Sequence, residues 1–166
     1  MVLSAEFCQN GGMSELTFSD SIVIAASREN LYDMISDITR MGEFSPVCRE
    51  CWWDEDGGPD VGAWFTGRNV TTERTWETRS QVVVADPGVE FAFMVGGTWI
   101  RWGYRFADVD GGTLVTESWD FLPDGVARFA ERFGDDAPAQ IEDRRRAAHE
   151  GIPSTLAAIK RVAESS

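Results

Sequence analysis

The chain has 166 residues, with 28 acidic and 15 basic side chains and a formal net charge of −13. A chain of that length makes one domain able to bury roughly two thirds of its unfolded surface, and its negative surplus repels phosphate backbones and anionic lipid surfaces over a Debye length, so nucleic acid is not an expected partner. No stretch approaches the roughly 18 uninterrupted apolar residues of a membrane span, and the opening MVLSAEFCQNGG has neither a basic region nor a long apolar run, so a cytoplasmic protein with no integral membrane segment is expected.

Residues 1–12 lack periodicity and end in NGG; they read as a disordered tail, leaving 13–166 as a single domain. Phe18, Ile22 and Ile24 alternate with polar or small neighbours and predict a strand over 16–24. Ser27 offers a helix cap. Leu31, Met34, Ile35 and Ile38 then recur at helical spacing, which predicts an amphipathic helix over 28–38. A short second helix is expected from Thr39 to Phe44, stopped at Ser45-Pro46 because the residue before proline avoids helical backbone.

The next stretch, PVCRECWW at 46–53, places two cysteines three apart. A structural zinc site needs four ligands, and only Cys8 and His149 remain to complete a set, so no metal is expected. A redox motif would open a helix, whereas this run leads into the turn DEDGGPD and reads as a strand. Residues three apart on a regular strand point to opposite faces, which makes these ordinary strand cysteines.

Six strands follow, over 48–54, 62–70, 75–86, 89–95, 98–109 and 113–121, separated by DEDGGPD, ADPG, VGG and DVDGG, turn clusters that join antiparallel neighbours. A short helix from Val126 to Phe133 ends at Gly134, and a long one begins near Asp135-Asp136 and Pro138 and runs to about Ala163. Its apolar stripe is Ile141, Ala148, Ile152, Leu156, Ile159 and Val162, and Gly151 with Pro153 is expected to bend it. Of the triplet Arg144 to Arg146, a solvated helix face is expected.

Side chains alternate across a strand, so each run divides into two faces. The inner sets are Phe65, Gly67 and Asn69; Trp76, Thr78, Ser80, Val82 and Val84; Val89, Phe91, Phe93 and Val95; Ile100, Trp102, Tyr104 and Phe106; and Val115, Glu117, Trp119 and Phe121. For 48–54 the adjacent Trp52 and Trp53 defeat the division. This inner face holds more bulky rings than an alanine-rich helix needs for a core, and it contains polar groups that require partners when buried. An apolar pocket with a few convergent polar groups fits that pattern; so does a filled core whose polar groups satisfy one another.

The element order and several segments resemble the START-like (helix-grip, SRPBCC) superfamily and its bacterial polyketide cyclase/dehydrase-like branch. The segments are SDITRMGEFSP, VGAWFTGRN, VVVADPGVEFAF, TLVTESWDF and GIPSTLAAIKRVAES. The resemblance implies an α+β fold in which a seven-stranded curved antiparallel sheet wraps around a long C-terminal helix, with two short helices between the first two strands. It also implies a deep apolar cavity that relatives use for lipids, polyketides or hormones, with Met41, Gly42, Phe44 and Pro46 at its mouth.

The expected ligand-binding set is Phe44, Phe65, Asn69, Trp76, Thr78, Phe91, Phe93, Trp102, Tyr104, Glu117, Trp119, Ile152 and Leu156, around an apolar or aromatic small molecule and without a cofactor. Glu117 is the best acid/base candidate, because desolvation raises a carboxyl pKa. It would otherwise orient a ligand, or form a structural pair with Asn69, Tyr104 or Arg145. No nucleophile triad can be assembled, and His149 is read as a packing or surface residue. Three functions remain open: a small-molecule binder, a cofactor-free cyclase, aromatase or dehydratase, and a regulatory, toxin-like interaction protein. The binder is preferred, as a monomer or homodimer.

Overall fold

The computed structural model of the chain describes residues 16–165. The expected tail at 1–12 and Cys8 lie outside them. The elements are β1 Thr17–Ile24, α1 Arg28–Ser36, a 3-10 segment Ile38–Glu43, β2 Cys48–Trp53, β3 Trp64–Val70, β4 Thr75–Asp86, β5 Glu90–Val95, β6 Ile100–Val109, β7 Gly112–Phe121, α2 Pro123–Phe133 and α3 Ala137–Glu164. All seven strands form one antiparallel sheet in the order β1-β7-β6-β5-β4-β3-β2. The sheet curves around α3, with α1 and the 3-10 segment bridging its two edges: the helix-grip arrangement that the resemblance implies. Among the described residues no helix is long and apolar enough to cross a membrane.

Local chemistry accounts for the boundaries. Ser27 caps α1, its Oγ accepting from the Asn30 amide at 3.2 Å. Losing that acceptor leaves an orphan amide, so Ser27→Ala is expected to lower the unfolding free energy by about 1 kcal/mol in chemical denaturation. Asp37 then ends α1, and its carboxylate accepts from the Thr39 amide to open the 3-10 segment. Gly42 fits that segment against β2: a Cβ there would stand 2.2 Å from the Arg49 carbonyl oxygen. At the far edge Gly112 has φ 143°, and a Cβ would meet the Ile24 carbonyl oxygen at 2.0 Å, so only glycine lets β7 start flush against β1.

Two bulges change the expected faces. In β4 the register shifts between Val82 and Val84, so Ala85 rather than Val84 packs on the core, opposite Phe91. Val89 is a turn residue, 45% exposed, because β5 starts only at Glu90. In β2 the shift lies between Cys48 and Glu50, and it returns Cys51 to the same face as Cys48. Both cysteines are buried and free, with Sγ atoms 3.2 Å apart, which corrects the expectation of opposite faces.

α3 runs through Gly151 and Pro153 as one element, its Ile152, Leu156 and Ile159 fully buried. Arg145 and Arg146 pair with Glu142 and Asp143 on the outer face, as a solvated triplet would, but Arg144 turns inward. His149 stacks on Phe18 with ring centroids 4.0 Å apart and so serves packing.

Candidate ligand-binding site

A cavity of about 230 Å³ lies between the sheet and α3. Cross-strand pairing builds its polar wall. β6 and β7 place Tyr104 directly opposite Glu117 and Trp102 opposite Trp119, while β3 and β4 place Gly67 opposite Thr78 and Asn69 opposite Trp76. Tyr104 Oη donates to Glu117 Oε1 at 3.0 Å. Asn69 Nδ2 donates to Thr78 Oγ1 at 3.3 Å rather than to Glu117, and Arg145 is engaged by Glu142, so of the three expected partners of Glu117 only Tyr104 is in place.

Glu117 is 2% exposed, and its Oε2 has no hydrogen-bond partner among the described residues. Burial pushes its pKa up to about 8, against the smaller opposing effect of the Tyr104 hydrogen bond. Burial likewise raises the Tyr104 phenol well above its ordinary value. At pH 7 the carboxyl is therefore chiefly neutral. With Oε1 accepting from Tyr104, the proton belongs on Oε2, which becomes a donor on the wall of an apolar cavity.

Phe44, Phe65, Asn69, Trp76, Thr78, Phe93, Trp102, Tyr104, Glu117 and Trp119 all line the cavity. Phe91, Ile152 and Leu156 do not. Phe91 is sealed in solid core by Tyr32 of α1, edge to face at 6.2 Å, and by Phe93. On α3 the lining residues are Arg144, Ala147, Ala148, Gly151, Thr155 and Ile159, a stripe rotated from the most apolar one. Ile152 and Leu156 lie off this stripe and fill space, while its Ala147, Ala148, Gly151 and Thr155 are small and leave it. That run of small residues at helical spacing was the sequence signal for the helix side of the hollow.

Met41 and Pro46 line the cavity with Phe44, whereas Gly42 does not and packs on the Arg49 backbone. Cys48 and Cys51 also line the cavity beside Gly67, whose missing side chain makes room for both sulfurs: a Cβ would lie 3.1 Å from Cys51 Sγ. Their mutual hydrogen bond lowers the Cys48 pKa and raises that of Cys51. Among the described residues there is no group of three or more His, Cys, Asp or Glu side chains that would hold a metal ion.

Gly151 faces open space, its nearest neighbour to an added Cβ being Pro46 Cγ at 3.9 Å. Gly151→Ala is therefore expected to stabilise α3 by about 0.5–1 kcal/mol without clash, measurable as a raised Tm.

A curved sheet gripping a terminal helix around an apolar hollow with one buried acid defines a helix-grip protein with an internal cavity. The chain belongs to the family described as polyketide cyclase / dehydrase and lipid transport, whose model matches residues 15–157. Among solved structures it is similar to a polyketide cyclase-like protein of Corynebacterium glutamicum, with 56% identity over 90% of this chain and 91% of that one and a TM-score of 0.66. It also shares its fold with a di-domain ARO/CYC of the steffimycin biosynthetic pathway, at 16% identity, 90% of this chain, 51% of that one and a TM-score of 0.67. A second di-domain ARO/CYC, of the BE-7585A pathway, aligns at 20% identity, 92% of this chain, 52% of that one and a TM-score of 0.66. The chain thus spans about half of each two-domain protein. No curated protein matches it significantly.

Proposed function

We propose that the protein binds a ring-bearing apolar small molecule in this cavity and orients it through a hydrogen-bond acceptor, such as a carbonyl, placed against Glu117. The observation that carries the reading is the unpartnered Oε2 of a deeply buried carboxyl on an otherwise aromatic wall. An unsatisfied buried polar atom costs about 1–3 kcal/mol, which a ligand acceptor would recover. The family description and the ARO/CYC neighbours agree with an apolar ligand.

Two naphthalenes of similar shape test it, the ketone acetylnaphthalene and the hydrocarbon ethylnaphthalene, each titrated by fluorescence. The expected result is tighter binding of the ketone by the wild type and loss of that preference in Glu117→Leu. Equal affinities in the wild type would remove Glu117 from the reading.

A second reading, cofactor-free cyclisation, is favoured by the same acid's pKa of about 8, which suits proton donation near neutrality. Neutral Glu117 would give its Oε2 proton to a carbonyl oxygen of the ligand as an enol carbon of the same ligand adds to that carbonyl, opening its C=O π bond to an alcohol, and the enol O–H proton would return to the carboxylate to restore the acid. Turnover of a linear polyketone that is lost in Glu117→Gln, with binding kept, would establish this reading over simple carriage.

A further inference from the structure

In a chain so rich in carboxylates, most basic side chains have an acidic partner. Arg49, Arg74, Arg132, Arg144 and Arg161 have none within salt-bridge distance among the described residues. Three of the five gather at one place. Arg144 lines the cavity, half-buried, with its guanidinium over Phe129 at 5.3 Å. Phe129 packs edge to face on Phe133, which carries Arg132 over its ring at 5.1 Å. On the sheet side, Arg74 lies over Trp76, itself a lining residue of β4, at 4.2 Å.

The three positive groups are close enough to work against one another. Burial lowers the pKa of Arg144, and repulsion by Arg74 and then Arg132 lowers it further, with only Asp143 among the named neighbours opposing. Arg74 and Arg132 are exposed and screened by solvent, so the half-buried Arg144 is the charge that an anion would relieve. Of the Arg144 donors only Nη1 has a partner, Gln140 Oε1 at 2.9 Å, which leaves donors of a planar fork shaped for two carboxylate oxygens. The net charge of −13 repels anions at long range, so this mouth is a local reversal of sign on the way to an apolar interior.

We infer that the cavity's ligand is an amphiphilic acid, whose apolar body fills the hollow and whose carboxylate sits at the mouth on Arg144, with Arg74 and Arg132 supplying supporting charge. This rests on the cavity reading above and adds the ligand's chemical class to it.

The test compares naphthylbutyrate with naphthylbutanol, a carboxylate and an alcohol on the same apolar body, by fluorescence titration of the full chain at low salt. The wild type is expected to prefer the carboxylate by about tenfold or more, since a charge-assisted hydrogen bond contributes on that scale. Arg144→Gln should abolish the preference by weakening carboxylate binding far more than alcohol binding, and Arg144→Lys should restore part of it. Arg74→Gln and Arg132→Gln should reduce it by smaller factors, and added salt should shrink it in every arginine-bearing form.

Equal affinity for the two probes in the wild type overturns the inference while keeping the cavity reading. So does an Arg144→Gln variant that loses affinity for both probes in the same proportion. Failure of both probes to bind the wild type overturns the cavity reading and the inference together.

Discussion

Glu117→Gln is expected to remove a large, pH-dependent part of the protein's instability. The folded state holds the Glu117 carboxyl near pKa 8, raised from 4.5, chiefly by burial. Between those values the folded chain binds more protons at this site than the unfolded chain does, so stability falls as pH rises. The stabilising contribution of the neutral acid is full below pH 4.5 and is lost as pH passes about 8. At roughly 1.4 kcal/mol per pKa unit, the loss across that window is on the order of 4–5 kcal/mol. Glutamine keeps the Oε1 acceptor for Tyr104 and never ionises. Urea denaturation at intervals between about pH 5 and pH 9 should show the two proteins similar at the acid end and the variant increasingly more stable toward the alkaline end. Parallel curves would mean that Glu117 is hydrated or paired in solution. Binding of an acceptor-bearing ligand should weaken in the wild type over the same alkaline range, because ionised Glu117 has no proton to donate.

Ala148→Phe is expected to abolish binding of a neutral naphthalene while leaving Tm unchanged or raised. Ala148 is buried on α3 and lines the same hollow as the rings of Phe65, Phe93 and Trp102. In a true cavity of about 230 Å³ a phenyl ring meets apolar walls and gains dispersion contacts at no cost to the backbone. Were the space already occupied by side chains, the same ring would overpack the core and cost about 1–3 kcal/mol. Calorimetry and fluorescence titration of one variant thus separate hollow from filled. A fall in Tm accompanied by retained binding would place the ligand elsewhere.

The fold was largely legible in the chain. Period-two patterning and turn clusters put the strands close to their observed limits, β4 at Thr75–Asp86 among them, because faces buried on one side impose alternation on the sequence. Ser27 likewise marked the start of α1. The pattern failed at the bulges. One inserted residue reverses all later alternation, so Ala85 replaced Val84 on the core and Cys51 joined Cys48 on one face. Sequence period carries no mark of such an insertion.

By itself, the sequence determined the element order, the aromatic inner face and the presence of Glu117 and Tyr104 on it, since these follow from side-chain polarity taken two residues at a time. The tertiary structure decided which inward residues border empty space and which fill it. Phe91, Ile152 and Leu156 point the same way as their neighbours, yet α1 and the tight side of α3 close over them. It also decided that Arg144, and not Arg145, meets the cavity, because about 100° of helical rotation separates adjacent residues and only the docking angle of α3 sets which one faces the sheet. Emptiness is a property of how surfaces meet, and no residue's own chemistry records it.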